Sequence, residues 1–167
     1  MGKTTRKLNC FHLHTAYVHA YSFPLLQLKT ISMSYKITTI EGIGETYGAR
    51  LNEQQIFNTD DLLTICGTKK SRETVATATS IPESLILTWV NHADLMRIKG
   101  IAGQFSELLE AAGVDTVKEF AQRNAENLYS KMLETNEKLG LSGSVPSSTS
   151  LQGMIDEAKT LDQKVFH

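Results

Sequence analysis

The first forty residues of the chain contain no aspartate and no glutamate; the first carboxylate is Glu41. The chain as a whole has no excess of either charge, with a formal net charge of −1. It therefore has no overall field to draw it to nucleic acid or an acidic membrane, and any such binding must come from a local patch. Cysteine is scarce: Cys10 and Cys66 stand far apart, with no C-x-x-C pair. That excludes a disulfide framework and fits a reducing, cytoplasmic setting. No apolar run approaches the ~18 residues of a membrane span, so no membrane partner is expected. No Ser/His/Asp or Cys/His nucleophile set is readable, so no catalytic residues, no cofactor and no enzyme activity are expected. Cys66 falls near a helix end, away from the positive end of the dipole, and reads as inert.

Residues 1–32 differ from the rest. They carry Lys3, Arg6, Lys7 and Lys29, and His12, His14 and His19 cluster among Tyr17, Tyr21 and Phe23. The simplest reading is a disordered leader or an upstream start, with Met33 the natural beginning. A targeting peptide is the second reading, although the apolar stretches are broken by His, Tyr and Pro24. A histidine metal site is the third, but nothing else of ligand type falls in register.

What the chain does contain is a repeat. Ile40-Glu41-Gly42-Ile43-Gly44 leads into Glu45-Thr46-Tyr47-Gly48-Ala49-Arg50-Leu51. Fifty-eight residues on, Ile98-Lys99-Gly100-Ile101-Ala102 leads into Gly103-Gln104-Phe105-Ser106-Glu107-Leu108-Leu109. The register continues without a gap: Val114 matches Ile56, Thr116 matches Asn58, Glu119 matches Asp61 and Phe120 matches Leu62. Paired glycines permit a sharp reversal because glycine reaches positive φ without a Cβ penalty. Ile43 and Ile101 then point inward as anchors. The first-turn amides behind each hairpin lack intrahelical partners and form a seat for an anion. Thr116 and Glu119 have capping-box spacing, and Asn58 with Asp61 is a weaker version. Each copy reads as hairpin, helix, short turn and capped helix, and such internal repetition constrains the fold strongly.

Gly42-Ile43-Gly44, with a small residue four on and an aliphatic seven on, resembles the helix-hairpin-helix motif. Two copies joined through Trp89-Val90-Asn91 and Ala93–Ile98 resemble an uncharacterised bacterial family, a domain of unknown function built on tandem helix-hairpin-helix units, over about residues 35–161. The resemblance implies an all-α fold: two helix-hairpin-helix repeats, a connector helix and C-terminal helices. It carries no established activity. Helix-hairpin-helix modules in general resemble sequence-independent DNA binders whose hairpin amides hold a phosphate.

The remaining segments follow in order. Tyr35–Ile40 has strand-like propensity, and with Gly42, Gly44 and Gly48 it invites a dinucleotide-binding reading. Context argues against it, since another helix rather than a second strand follows Ile56. Helices are expected over about 45–54 and 59–66, with Gly67 ending the second. Lys69, Lys70 and Arg72 open the next and read as a solvated face. A connector runs from Pro82 to about His92, too apolar for a surface helix, with Trp89 in the core and His92 partly buried or at the surface. Asp94 is placed to cap Leu95-Met96-Arg97. A helix to about Leu139 turns Leu128, Met132 and Leu133 inward. Residues 140–150 read as a flexible linker, which closes a domain of residues 33–139. Residues 151–167 hold a final helix, whose Leu151, Met154, Ile155, Ala158 and Leu161 form one apolar face docked on that domain.

Two non-enzymatic functions remain. In the first, the hairpins bind a nucleic-acid backbone through Gly42, Ile43, Gly44, Arg97, Lys99, Gly100 and Ile101. Glu41 and Glu45, and Ala102 in place of a glycine, weigh against it. In the second, the module binds another protein and has lost its nucleic-acid contacts.

Overall fold

Glycine and asparagine punctuate the chain where the backbone must reverse, and the helices fall between those points. A computed structural model describes residues 34–167. Residues 1–33, with Cys10, His12, His14 and His19, lie outside the described residues, and the readings made of that stretch with them. Among the described residues there are eight α-helices and no strand: α1 Glu45–Glu53, α2 Thr59–Cys66, α3 Lys69–Thr79, α4 Glu83–Leu95, α5 Gly103–Ala111, α6 Val117–Phe120, α7 Ala125–Leu139 and α8 Ser148–Ala158. The strand propensity before the first hairpin is overridden. Tyr35 is extended, Lys36 makes one isolated bridge to Asn58, and Ile37–Thr39 closes into a single 3-10 turn. That turn lets both Ile37 and Ile40 face inward, which an alternating strand could not do.

The repeat in sequence is a repeat in backbone geometry. Ile40 N–H donates to the Ile37 carbonyl at 3.2 Å, and Ile98 N–H to Leu95 at 3.1 Å. Ile43 N–H donates to Ile40 and Ile101 N–H to Ile98, both at 3.1 Å. Gly42 has φ +83° and Gly100 φ +91°. α1 ends with Gln55 at φ 62°, and α5 with Gly113 at φ 85°. The amides of Ile56 and Val114 then close onto Leu51 and Leu109. The next helix is capped alike in both copies. Asn58 accepts the Asp61 amide while Asp61 accepts that of Phe57; Thr116 accepts the Glu119 amide while Glu119 accepts that of Asp115.

Each copy has its own core. The first gathers Ile37, Ile40, Ile43, Leu51, Ile56 and Leu62 with Trp89, Val75 of α3, Ile86 of α4 and Ile81 from the turn between them. The second gathers Ile98, Ile101, Leu108, Leu109, Val114 and Phe120 with Leu128 and Met132 of α7 and Leu151, Ile155 and Ala158 of α8. α4 serves both: Ala93 and Met96 face the first core and Leu95 the second. Each fully buried aliphatic or aromatic side chain contributes roughly 1.5–3 kcal/mol.

Several elements differ from the sequence reading. Leu133 is 44% exposed. The buried stripe of α7 runs Leu128, Met132, Thr135, and a residue next to Met132 is turned about 100° away from it. α8 begins at Ser148, ahead of Leu151, because Ser147 accepts the Ser150 amide, and it stops at Ala158. Within residues 140–147, Ser142 is bonded to Asn136, which both donates to its carbonyl and accepts its amide, each at 2.8 Å. Gly67 caps α2 at φ −62°, with no left-handed turn. It is glycine because a Cβ there would meet the Lys164 carbonyl oxygen at 2.6 Å and that of Leu63 at 2.7 Å.

That contact belongs to the C-terminal segment, which returns to the first copy. Val165 is buried in the first core, and Phe166 N–H donates to the Gly67 carbonyl at 2.8 Å. Arg72 holds it there. Instead of lying on a solvated face with exposed Lys69 and Lys70, Arg72 is 1% exposed. Its Nε donates to Glu83 at 2.8 Å, and its Nη1 donates to the carbonyls of Cys66, Gly67 and Phe166. The rigid guanidinium fork suits such convergent acceptors.

Candidate nucleic-acid interface

The first hairpin is built on Trp89. A Cβ at Gly42 would meet Trp89 Nε1 at 3.3 Å, and the indole packs against Tyr47 with ring centroids 5.2 Å apart. Ile43 is buried at 3% exposure, while Glu41, Gly42, Gly44, Glu45 and Thr46 are exposed. Gly44 is extended, at φ −79° and ψ −177°, and a Cβ there would touch nothing within 4 Å. Gly48 brings the preceding turn onto α1, since a Cβ would meet Thr38 Cγ2 at 3.2 Å. The result is an open loop that presents the start of α1 to solvent, flanked by the carboxylates of Glu41 and Glu45. Arg50 lies 6.0 Å from the Tyr47 ring centroid, too far along α1 to line the hairpin itself.

The second hairpin has the same backbone and different surroundings. Ile101 is fully buried, and Ala102 occupies the place of Gly44 at φ −120° and ψ −179°, an extended conformation open to any residue. Gly103 is buried, and a Cβ there would meet the Thr39 carbonyl oxygen at 2.9 Å. A Cβ on Gly100 would meet Met154 Cε at 3.1 Å. The Lys99 amide donates to Glu157 Oε1 at 3.2 Å, while Lys99 itself is exposed.

Arg97 is engaged internally. Its Nη1 donates to Asp94 Oδ1 at 2.6 Å and to the Asp162 carbonyl at 2.9 Å, and its side chain is 9% exposed. Asp94 does not start a helix over residues 95–97; it lies inside α4, 2% exposed. Burial pushes its carboxyl upward from the usual range, against the pull of the Val117 amide and the Arg97 guanidinium. Of the seven residues read from sequence, Gly42, Ile43 and Gly44 form one turn, and Lys99, Gly100 and Ile101 form the other. Ile43 and Ile101 are anchors beneath those turns, and Arg97 is a structural partner of Asp94.

His92 and Cys66 bear on other chemistries. His92 is 3% exposed; its Nε2 lies 2.8 Å from Glu110 Oε2, and its Nδ1 has no partner. Cys66 is fully buried, and burial pushes its thiol from 9.0 to about 11, away from nucleophilic reactivity. Among the described residues no group of three or more His, Cys, Asp or Glu side chains is placed to hold a metal ion. No described helix is long and apolar enough to cross a membrane. Sequence reasoning gave Arg72 and Asp94 other roles and did not single out Glu157. Nothing local marks them, because their partners come from other elements.

The described architecture defines an all-helical protein with two copies of a glycine turn and capped helix pair. The chain belongs to the family described as Domain of unknown function (DUF4332), whose model matches residues 41–161. No curated protein and no solved structure matches it.

Proposed function

We propose that the two copies are helix-hairpin-helix units, and that the protein is a non-enzymatic, sequence-independent binder of a nucleic-acid backbone. The observation that carries this reading is the exposed Gly42-Ile43-Gly44 turn. It combines positive φ at Gly42, a buried Ile43 anchor, open space at Gly44 and an unobstructed start of α1. Phosphate oxygens are the groups that first-turn amides and a helix dipole favour. Contacts of that kind go to backbone phosphates and carry no base sequence. The widely spaced cysteines fit a reducing, cytoplasmic setting.

A second reading is favoured by the second hairpin. Arg97 is committed to Asp94, and Glu157 sits on the Lys99 amide. Those are the features of a module that keeps its packing while binding a protein.

Fluorescence anisotropy on labelled duplexes, from low to physiological salt, separates the two. Backbone binding predicts a dissociation constant no tighter than about 10⁻⁴–10⁻⁶ M at physiological salt. Glu41→Lys strengthens it, and Lys99→Glu weakens it and lowers the salt slope by roughly one counterion. No binding at low salt, with both variants unchanged, leaves the protein-binding module standing.

A further inference from the structure

We propose that Glu157 of α8 is the resident anion on the second hairpin's Lys99 amide, so that an external phosphate is held by the amides of the first hairpin and meets the second only through the exposed Lys99 side chain. In what it says of nucleic acid this rests on the hairpin reading above. The contact itself stands on geometry. α8 is fixed to the second core by Leu151, Ile155 and Ala158. That places Met154 and Glu157, one residue before Ile155 and Ala158, on an adjoining stripe that faces the hairpin. Glu157 Oε1 accepts the Lys99 amide at 3.2 Å, and Met154 Cε closes over Gly100. The Thr39 carbonyl oxygen lies against Gly103, at the start of α5, where it presents a second negative end. The second hairpin thus carries a carboxylate on its Lys99 amide, a thioether beside Gly100 and a carbonyl oxygen beside Gly103, while Lys99, Gly100 and Ala102 are exposed like their counterparts in the first copy. A phosphate entering the second site must displace Glu157 and is repelled by it at close range.

The test uses the full chain and two variants, Glu157→Ala and Glu157→Gln. Three buried side chains hold α8, so both variants keep the fold, and the isosteric glutamine keeps an acceptor for Lys99 N–H without charge. Inorganic phosphate is titrated while the backbone amide resonances are followed. With Glu157→Ala, the Lys99, Gly100 and Ile101 amides should show saturable shifts that the wild type lacks, with Glu157→Gln between them. Wild-type shifts at those amides equal to the variant's, or none in Glu157→Ala, would overturn the proposal. A labelled duplex forms the second arm. There Glu157→Ala should bind about fivefold tighter than wild type, the effect of removing one half-buried like charge. If every variant ignores the duplex, the nucleic-acid reading falls, while the phosphate shifts still decide the role of Glu157.

Discussion

Asp94 Oδ2 accepts the Val117 amide at 2.9 Å, at the position where the Tyr35 carbonyl accepts the Thr59 amide in the first copy. One backbone need, an acceptor at the start of the capped helix, is met by main chain in one copy and by a buried carboxylate in the other. The side chain brings a charge with it, and Arg97 is drawn inward to balance that charge. Asp94→Ala should therefore destabilise the fold by about 2–4 kcal/mol, because it leaves a buried N–H and a guanidinium unpaired. The urea midpoint should fall with no change in the slope.

Arg72 should matter as much. Arg72→Ala removes the guanidinium from the Cys66, Gly67 and Phe166 carbonyls, of which Gly67 keeps the Phe166 amide, and leaves Glu83 without its partner, at a cost of about 3 kcal/mol. Arg72→Lys should rescue little, since one ammonium cannot reproduce the fork. The Phe166 amide, bonded to Gly67, should lose hydrogen-exchange protection before the rest of the molecule.

Three substitutions in the turns should behave differently. Gly42→Ala forces a Cβ to φ +83° beside Trp89 and should cost roughly 1–2 kcal/mol. Gly44→Ala should be close to neutral, since Ala102 already occupies the same extended conformation in the second copy. Gln55→Gly should stabilise by about 0.5–1 kcal/mol, because Gln55 is left-handed where the second copy has Gly113. Thermal melts of the three variants check the order.

Cys66 gives the fold an alkaline limb. Its folded value, about 11, lies above the unfolded 9.0, so the stability it contributes is complete below about pH 9 and is lost as pH rises through 11. The loss approaches roughly 2–3 kcal/mol. Wild type should lose stability relative to Cys66→Ala between pH 8 and pH 10.5, read from urea unfolding of both proteins. A constant difference between them would show that the thiol does not ionise with this linkage.

Much of the fold was legible because its determinants are local. Gly42 and Gly100 mark positive φ, Asn58 and Thr116 mark caps, and the 58-residue register lets each copy check the other. The register even explains Gln55, which only its Gly113 counterpart marks as a left-handed position. The strand-like propensity of Tyr35–Ile40, set aside on context in favour of an all-α fold, yields to the burial of Ile37 and Ile40. Leu133 misled because apolar composition was read where only angular position on α7 decides.

The sequence by itself determined the two glycine turns, the helices behind them and the isoleucine anchors, since glycine sterics and short-range capping need no distant partner. Tertiary structure alone decided what each turn faces. Arg72 reads as one of three basic residues until Phe166, 94 positions away, supplies a carbonyl. Glu157 is an ordinary helix acid until α8 docks and sets it on the Lys99 amide. Two turns with matching backbones thus end with different surroundings, because charge and access at a surface depend on elements brought together from the whole chain.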